Sequence, residues 1–128
     1  MKRFAWLIAA LFLLLTACGG ETMELTYKQI SQEEAKNMMD QYADAIILDV
    51  REQEEFDAGH IKGAVLLPVG TITEESAAQV ISAKDAMVLV YCRSGNRSKT
   101  ASDKLVALGY SNVYEFGGIN TWPYEIEQ

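Results

Sequence analysis

The chain has 128 residues, 49% hydrophobic and 23% charged, which suits one small globular domain plus a targeting segment and excludes a disordered chain. With 11 basic against 18 acidic side chains the net charge is −7, a balance that argues against a nucleic-acid groove. Two cysteines, Cys18 and Cys92, are too few for a disulfide scaffold, and a single histidine, His60, with no Cys-x-x-Cys pair supplies no metal set.

Residues 1–17 read as an export signal. Lys2 and Arg3 form a positive start, and residues 4–15 are an apolar run too short for the roughly 20 residues that span a bilayer. Leu15-Thr16-Ala17-Cys18 resembles the bacterial lipobox, in which the cysteine is lipidated and begins the mature protein. A plain cut after Ala17 is the alternative, but it prefers a small residue where Leu15 stands. This predicts a lipid on Cys18, a short tether over residues 18–23, and a domain over residues 24–128. The domain is then held on a membrane of the cell envelope, facing away from the cytoplasm, and Cys92 is its only free thiol.

Residues 23–27 alternate as a short strand. Ser31 with Glu34 forms a capping box, and the helix it opens is expected to run through Met38, Met39 and Tyr42 with these as core. Residues 45–50 are a continuous apolar run ending in Asp49-Val50, as in a strand buried on both faces. Residues 51–58 read as a short charged helix with Phe56 as its core contact and Gly59 at the position after its end. A loop and another strand follow, stopped by Pro68. Thr73 opens a short helix to about Ile81, with Glu74 and Glu75 suiting its dipole. Residues 86–91 form the next strand, residues 98–108 a helix with Ala101, Leu105 and Leu108 on one stripe, and Gly109 its cap. Residues 113–116 are a strand that Gly117-Gly118 breaks, and residues 119–126 are expected as a final short helix. Strand and helix alternate, with five strands in all. That predicts a three-layer α/β domain with a mostly parallel sheet and helices on both faces, its ligands gathered beyond the carboxyl ends of the strands.

Cys92 falls at such an end, in Cys92-Arg93-Ser94-Gly95-Asn96-Arg97-Ser98. A free cysteine titrates at about 8.5, and nearby cations or a helix N-terminus lower it. Arg93 and Arg97 are close in sequence, loop amides can form an anion nest, and Gly95 lets the chain turn. Ser94, Asn96 and Ser98 can add hydrogen bonds, and Ser98 can equally just cap the helix. The competing reading of a lone cysteine after an apolar strand is a small buried residue, but the flanking polar sequence lifts Cys92 out of that default. Asp49 and Arg51 read as a buried pair that positions loops. Glu52, Glu54 and Glu55 read as a solvated helix face, and Trp122 and Tyr124 as packing.

The chain resembles the rhodanese domain over residues 24–126. Asp49-Val50-Arg51 with Glu54 or Glu55 and Phe56, then Gly59-His60-Ile61-Lys62-Gly63-Ala64, are similar to the first motif of that family. Cys92 to Ser98 looks like its active loop, and Leu108-Gly109-Tyr110, Asn112-Val113 and Gly117-Gly118 with Trp122 look like its carboxyl-terminal signature. The resemblance implies the rhodanese fold and transfer of sulfane sulfur through a Cys92 persulfide, with residues 93–98 as substrate loop and no cofactor. A donor such as thiosulfate or polysulfide and a thiol or other nucleophilic acceptor are then the small-molecule partners, no nucleic acid takes part, and no protein partner is specified. His60 falls in a structural stretch of the family. Related phosphatases and arsenate reductases place five residues between cysteine and arginine. Here four residues separate Cys92 from Arg97, a smaller cradle that favours a sulfur atom over a tetrahedral phosphate. The alternatives are a sulfur-sensing or docking module for a membrane partner and, behind it, a phosphatase or arsenate reductase.

Overall fold

The computed structural model of the chain describes residues 25–128. The export signal, the lipobox with Cys18, the tether and the first two residues of the expected strand over residues 23–27 lie outside the described residues. In chain order the elements are β1 (Lys28–Gln29), α1 (Gln32–Gln41), β2 (Ile46–Asp49), α2 (Gln53–Ala58), β3 (His60–Ile61), β4 (Val65–Leu66), α3 (Glu74–Val80), β5 (Val88–Cys92), α4 (Asn96–Ala107), β6 (Val113–Gly118) and β7 (Ile126–Glu127). Single 3-10 turns follow β4 at Val69–Thr71 and β6 at Ile119–Thr121. Among the described residues, five strands form one sheet in the order β1-β6-β5-β2-β4, and every pairing in it is parallel.

The central strand β5 is buried along its whole length. Its side chains alternate between the two faces, as a period of two requires. Val88, Val90 and Cys92 pack with Ala77 and Ile81 of the α3 segment and with Ala101 and Leu105 of α4. Leu89 and Tyr91 pack on the other face with Ala35 of α1, Ile61, Phe116 and Trp122. The domain therefore has the expected three layers, and the alternation assigns Cys92 to the α4 face. The expected buried pair is there too: Arg51 reaches Asp49 at 2.7 Å (Nη2 to Oδ2) and 2.9 Å (Nε to Oδ1), and Nη2 also donates to the Gly59 carbonyl at 2.7 Å.

The capping boxes at Ser31 and Thr73 form as the sequence predicts. Several expectations are corrected. The first strand is displaced to Lys28–Gln29, where this exposed edge pairs with Tyr114 and Glu115 of β6. Tyr42 follows the end of α1 and is 43% exposed rather than core. Phe56 joins neither core cluster and instead stacks on His60, ring centroids 3.8 Å apart. Gly59 does stand at the end of α2 with a positive φ, 157°, and ψ of 137°. Gly117 and Gly118 do not break β6 after Phe116 but are its last two residues. The helix expected over residues 119–126 is absent. Pro123 disfavours helical backbone at Trp122, which is extended at φ −74° and ψ 118°, and the chain continues into β7, antiparallel to β3.

Candidate active site

Cys92 is the last residue of β5, and its side chain is 1% exposed. The chain then turns sharply. Gly95 adopts φ 109° and ψ −5°, a conformation that costs an L side chain roughly 1–2 kcal/mol. This is the N-cap of α4, so the helix starts at Asn96, two residues before the expected Ser98. Ser98 is therefore not the cap. It stands in the first turn of the helix, fully buried, facing the sulfur.

The loop is pressed against β6. A Cβ on Gly118 would lie 2.0 Å from the Arg93 carbonyl oxygen, closer than any side-chain atom can sit. The Asn120 amide donates to that same carbonyl at 3.1 Å. The β5–β6 register shifts between Val90 and Cys92, bringing Cys92 opposite Gly118. The two glycines are thus the floor on which the loop rests, which explains why they continue the strand.

Around the sulfur, the Gly95 amide donates to Sγ at 3.0 Å, and Ser98 Oγ is 3.4 Å away. Burial pushes the thiol up, but hydrogen bonding with the Ser98 hydroxyl and from the Ser98, Gly95 and Ser94 amides outweighs it and brings Cys92 below its usual range. The first-turn amides of α4 are among these donors, so the positive end of a helix faces the thiolate. This is a nest sized for one anionic atom.

The loop residues divide. Ser94, Gly95 and Ser98 meet at the sulfur, whereas the Arg93 and Asn96 side chains are exposed. Arg97 gives its two terminal guanidinium nitrogens to Glu55, at 2.8 and 2.9 Å. The Arg97 hydrogen bond is the main cause that holds the Glu55 carboxyl down at about 2. Glu55 is therefore no part of a solvated face; it ties α2 to the first turn of α4. Glu52 and Glu54 do stay exposed.

A residue the sequence reading passed over lies behind Ser98. Glu115 of β6 is 2% exposed, and its Oε2 accepts from Ser98 Oγ at 2.5 Å and from the Gly117 amide at 3.0 Å. Its Oε1 accepts from Gln29 Nε2 at 3.2 Å. The signal was available: Val113 faces the α4 core, so residue 115 shares that face, and a carboxylate there breaks the apolar alternation.

His60 is occupied elsewhere. Its Nδ1 lies 2.9 Å from the Phe56 carbonyl, and Nε2 is 3.9 Å from Glu127. Trp122 packs against Phe116 and Tyr124 at centroid distances of 5.4 and 4.9 Å, as expected of packing residues. The loop after Cys92 runs between two open clefts. One, of about 390 Å³, is lined by Arg51, Glu55, Arg93 and Asn120; the other, of about 330 Å³, by Gln29, Gln32, Ser94, Gly95, Lys99 and Glu115. Among the described residues no cluster of three or more His, Cys, Asp or Glu side chains is placed to hold a metal.

Comparison with known proteins agrees with this geometry. The family profile described as Rhodanese-like domain matches residues 31–124. The chain is 36% identical over 99 residues to thiosulfate sulfurtransferase GlpE of Coxiella burnetii (strain RSA 331 / Henzerling II), covering 77% of this chain and 89% of that one. It is also 36% identical over 97 residues to thiosulfate sulfurtransferase GlpE of Pseudomonas fluorescens (strain SBW25), covering 75% and 84%. Among solved structures, a rhodanese with anions from E. coli superposes with a TM-score of 0.61 at 28% identity, over 66% of this chain and 98% of that chain.

Proposed function

The chain belongs to the rhodanese-like family, and from that membership we propose that it moves sulfane sulfur through a persulfide on Cys92. It is an enzyme, a sulfurtransferase of the rhodanese type, working between a sulfur donor and a thiol acceptor. The observation that carries the assignment to Cys92 is the amide nest: a buried sulfur with the Gly95 amide at 3.0 Å and its thiol lowered by four hydrogen bonds against burial.

The cycle is redox-neutral overall. The Cys92 thiolate attacks the outer sulfur of a donor such as thiosulfate. A new S–S bond forms at Sγ while the donor's own S–S bond breaks, and sulfite leaves with the electron pair. An acceptor thiolate then attacks the outer sulfur of the persulfide, and Cys92 departs as thiolate. The nest stabilises negative charge on sulfur in both steps, so no dedicated base has to touch the donor. Arg93, exposed on the rim of the larger cleft, supplies positive charge for an anionic donor.

Phosphoryl or arsenate chemistry is disfavoured. Arg97, which would have to grip a tetrahedral oxyanion, is engaged by Glu55. The test is mass spectrometry of the domain after exposure to thiosulfate or polysulfide. A mass gain of one sulfur on Cys92, discharged by a thiol and absent in Cys92→Ser, is expected. No gain with any donor would overturn the assignment. A docking or sensing role instead of catalysis predicts that Cys92→Ser keeps the full cellular phenotype.

The proposal extends to location. The basic start, apolar run and Leu15-Thr16-Ala17-Cys18 support a lipid on Cys18 and a membrane-held enzyme in the cell envelope. Incorporation of labelled fatty acid that is lost in Cys18→Ala is the expected result. A mature protein cut after Ala17 and free of lipid would refute it.

A further inference from the structure

A serine hydroxyl has a single proton, and here two groups compete for it. Ser98 Oγ lies 2.5 Å from Glu115 Oε2 and 3.4 Å from Cys92 Sγ. With the hydroxyl donating to the carboxylate, Ser98 has only lone pairs to offer, and the Cys92 S–H donates to it. The three side chains then form one directed chain, Cys92 to Ser98 to Glu115, that is 1%, 0% and 2% exposed along its length. Simple ionisation of Cys92 would put two negative charges, sulfur and carboxylate, in one buried cluster with a single hydroxyl between them. That arrangement is unfavourable, since like charges sharing a site oppose each other's ionisation.

We propose that Glu115 is a positioning residue for sulfur transfer, acting through Ser98 as the store for the Cys92 proton. The proposal rests on the persulfide reading of Cys92 given above. When the thiolate forms, the S–H bond breaks and its electron pair stays on sulfur. The proton joins Ser98 Oγ as the proton of Ser98 passes to Glu115 Oε2. Ser98 now donates to the thiolate, Glu115 is a neutral acid, and the cluster carries one negative charge before and after. When the acceptor thiolate removes the outer sulfur, Cys92 leaves as thiolate, and the same two protons moving back restore the resting thiol. Glu115 lines the smaller cleft together with Gln29, Gln32 and Lys99, and Arg93 lines the other.

The charged surroundings are accounted for element by element. On α4, Arg97 is engaged by Glu55 of α2, and Lys99 is exposed at the cleft rim. Ahead of β1, Tyr27 is pushed up by burial and then by the Asp103 and Glu115 carboxylates, which sets Tyr27 and Asp103 on the Glu115 side. Gln29 and the Gly117 amide hold the carboxylate but exchange no proton with it.

The experiment is the pH dependence of Cys92 alkylation by iodoacetamide in the whole protein. Alkylation needs the thiolate but no sulfur donor, so it separates failure of this proposal from failure of the sulfurtransferase reading. Glu115→Gln keeps the shape and an acceptor for Ser98 but stores no proton. It is expected to slow alkylation at neutral pH by roughly 10²-fold, a typical proton-transfer effect, and to move the half-rate point upward. Ser98→Ala is expected to do the same, with no further loss in the double variant. If Glu115 acted only as a nearby negative charge, Glu115→Gln would alkylate as fast or faster, and that result overturns the proposal. Loss in the double variant equal to the product of the singles also overturns it. The wild-type protein gives a reading that does not depend on any variant folding. Infrared difference spectra between resting and persulfide-loaded protein should show a protonated-carboxyl stretch at Glu115 in the loaded form, lost when a thiol removes the sulfur, and its absence in protein that mass spectrometry shows to be loaded refutes the store.

Discussion

At the scale of single residues, the site depends on two positions where a methyl group does not fit. At Gly118 the obstruction is space: a Cβ there meets the Arg93 carbonyl at 2.0 Å. At Gly95 it is the backbone, with φ of 109°. Gly118→Ala is therefore expected to displace the loop, cut sulfur loading of Cys92 far more than Gly95→Ala, and cost at least ~2 kcal/mol, in the range for overpacking. A urea midpoint and a persulfide assay measured together check both. Cys92 and its loop were legible in the sequence because Cys-x-x-Gly after an apolar run is a local pattern. The partners were not. Arg97 reads as a ligand for anions until its bond to Glu55, 42 positions away, is seen. Ser98 reads as a cap until the helix is found to start at Asn96. Thiol titration offers a further check. With Cys92 lowered, its alkylation half-point should lie below that of a free cysteine, and removing the Ser98 hydroxyl should raise it.

At the scale of elements, α2 and α4 are clipped together by the Glu55–Arg97 pair, at the edge of the cleft that Arg93 also lines. The Arg97 guanidinium holds the Glu55 carboxyl down at about 2, well below the usual carboxylate range. A carboxyl lowered on folding contributes stability that is full above its unfolded value and is lost as pH falls through its folded one. Wild type should therefore exceed Glu55→Gln by about 0.5–1 kcal/mol near neutrality, and the difference should vanish between pH 4.5 and about 2. Denaturant midpoints of both proteins over that range would show it, and a constant gap would rule the pair out as its source. Elements with a strong local signature were the legible ones: two capping boxes, the apolar runs of β2 and β5, the stripe of α4. Where tertiary pairing decides, sequence fell short. β1 is two exposed residues fixed only by β6, and β7 exists because Pro123 stops a helix and β3 offers an edge.

At the scale of the whole molecule, the sheet separates two cores, and the alternation along β5 assigns Cys92 to one of them. Leu105, fully buried on the core face of α4, should cost about 2–5 kcal/mol on replacement by alanine. Because Ala101, Ser98 and Cys92 share that side, the same variant should also slow sulfur loading; an unfolding midpoint and single-turnover rates on one sample would test the coupling. Unaltered loading would mean the loop is held by β6 alone. Fold class and layer count were readable from the alternation of strands and helices. The strand order was not, since it depends on which faces meet.

The depth of Sγ has one more consequence. At 1% exposure the empty thiol is almost withdrawn from the surrounding solution. In the proposed cycle, loading adds an atom one S–S bond, about 2.05 Å, beyond the sulfur the protein itself supplies. The empty and loaded states therefore differ in reach as well as in chemistry. A bulky oxidant or metal ion finds little to touch in the first, while an acceptor too large to enter can meet the second. Cargo, in such a carrier, is its own signal of readiness.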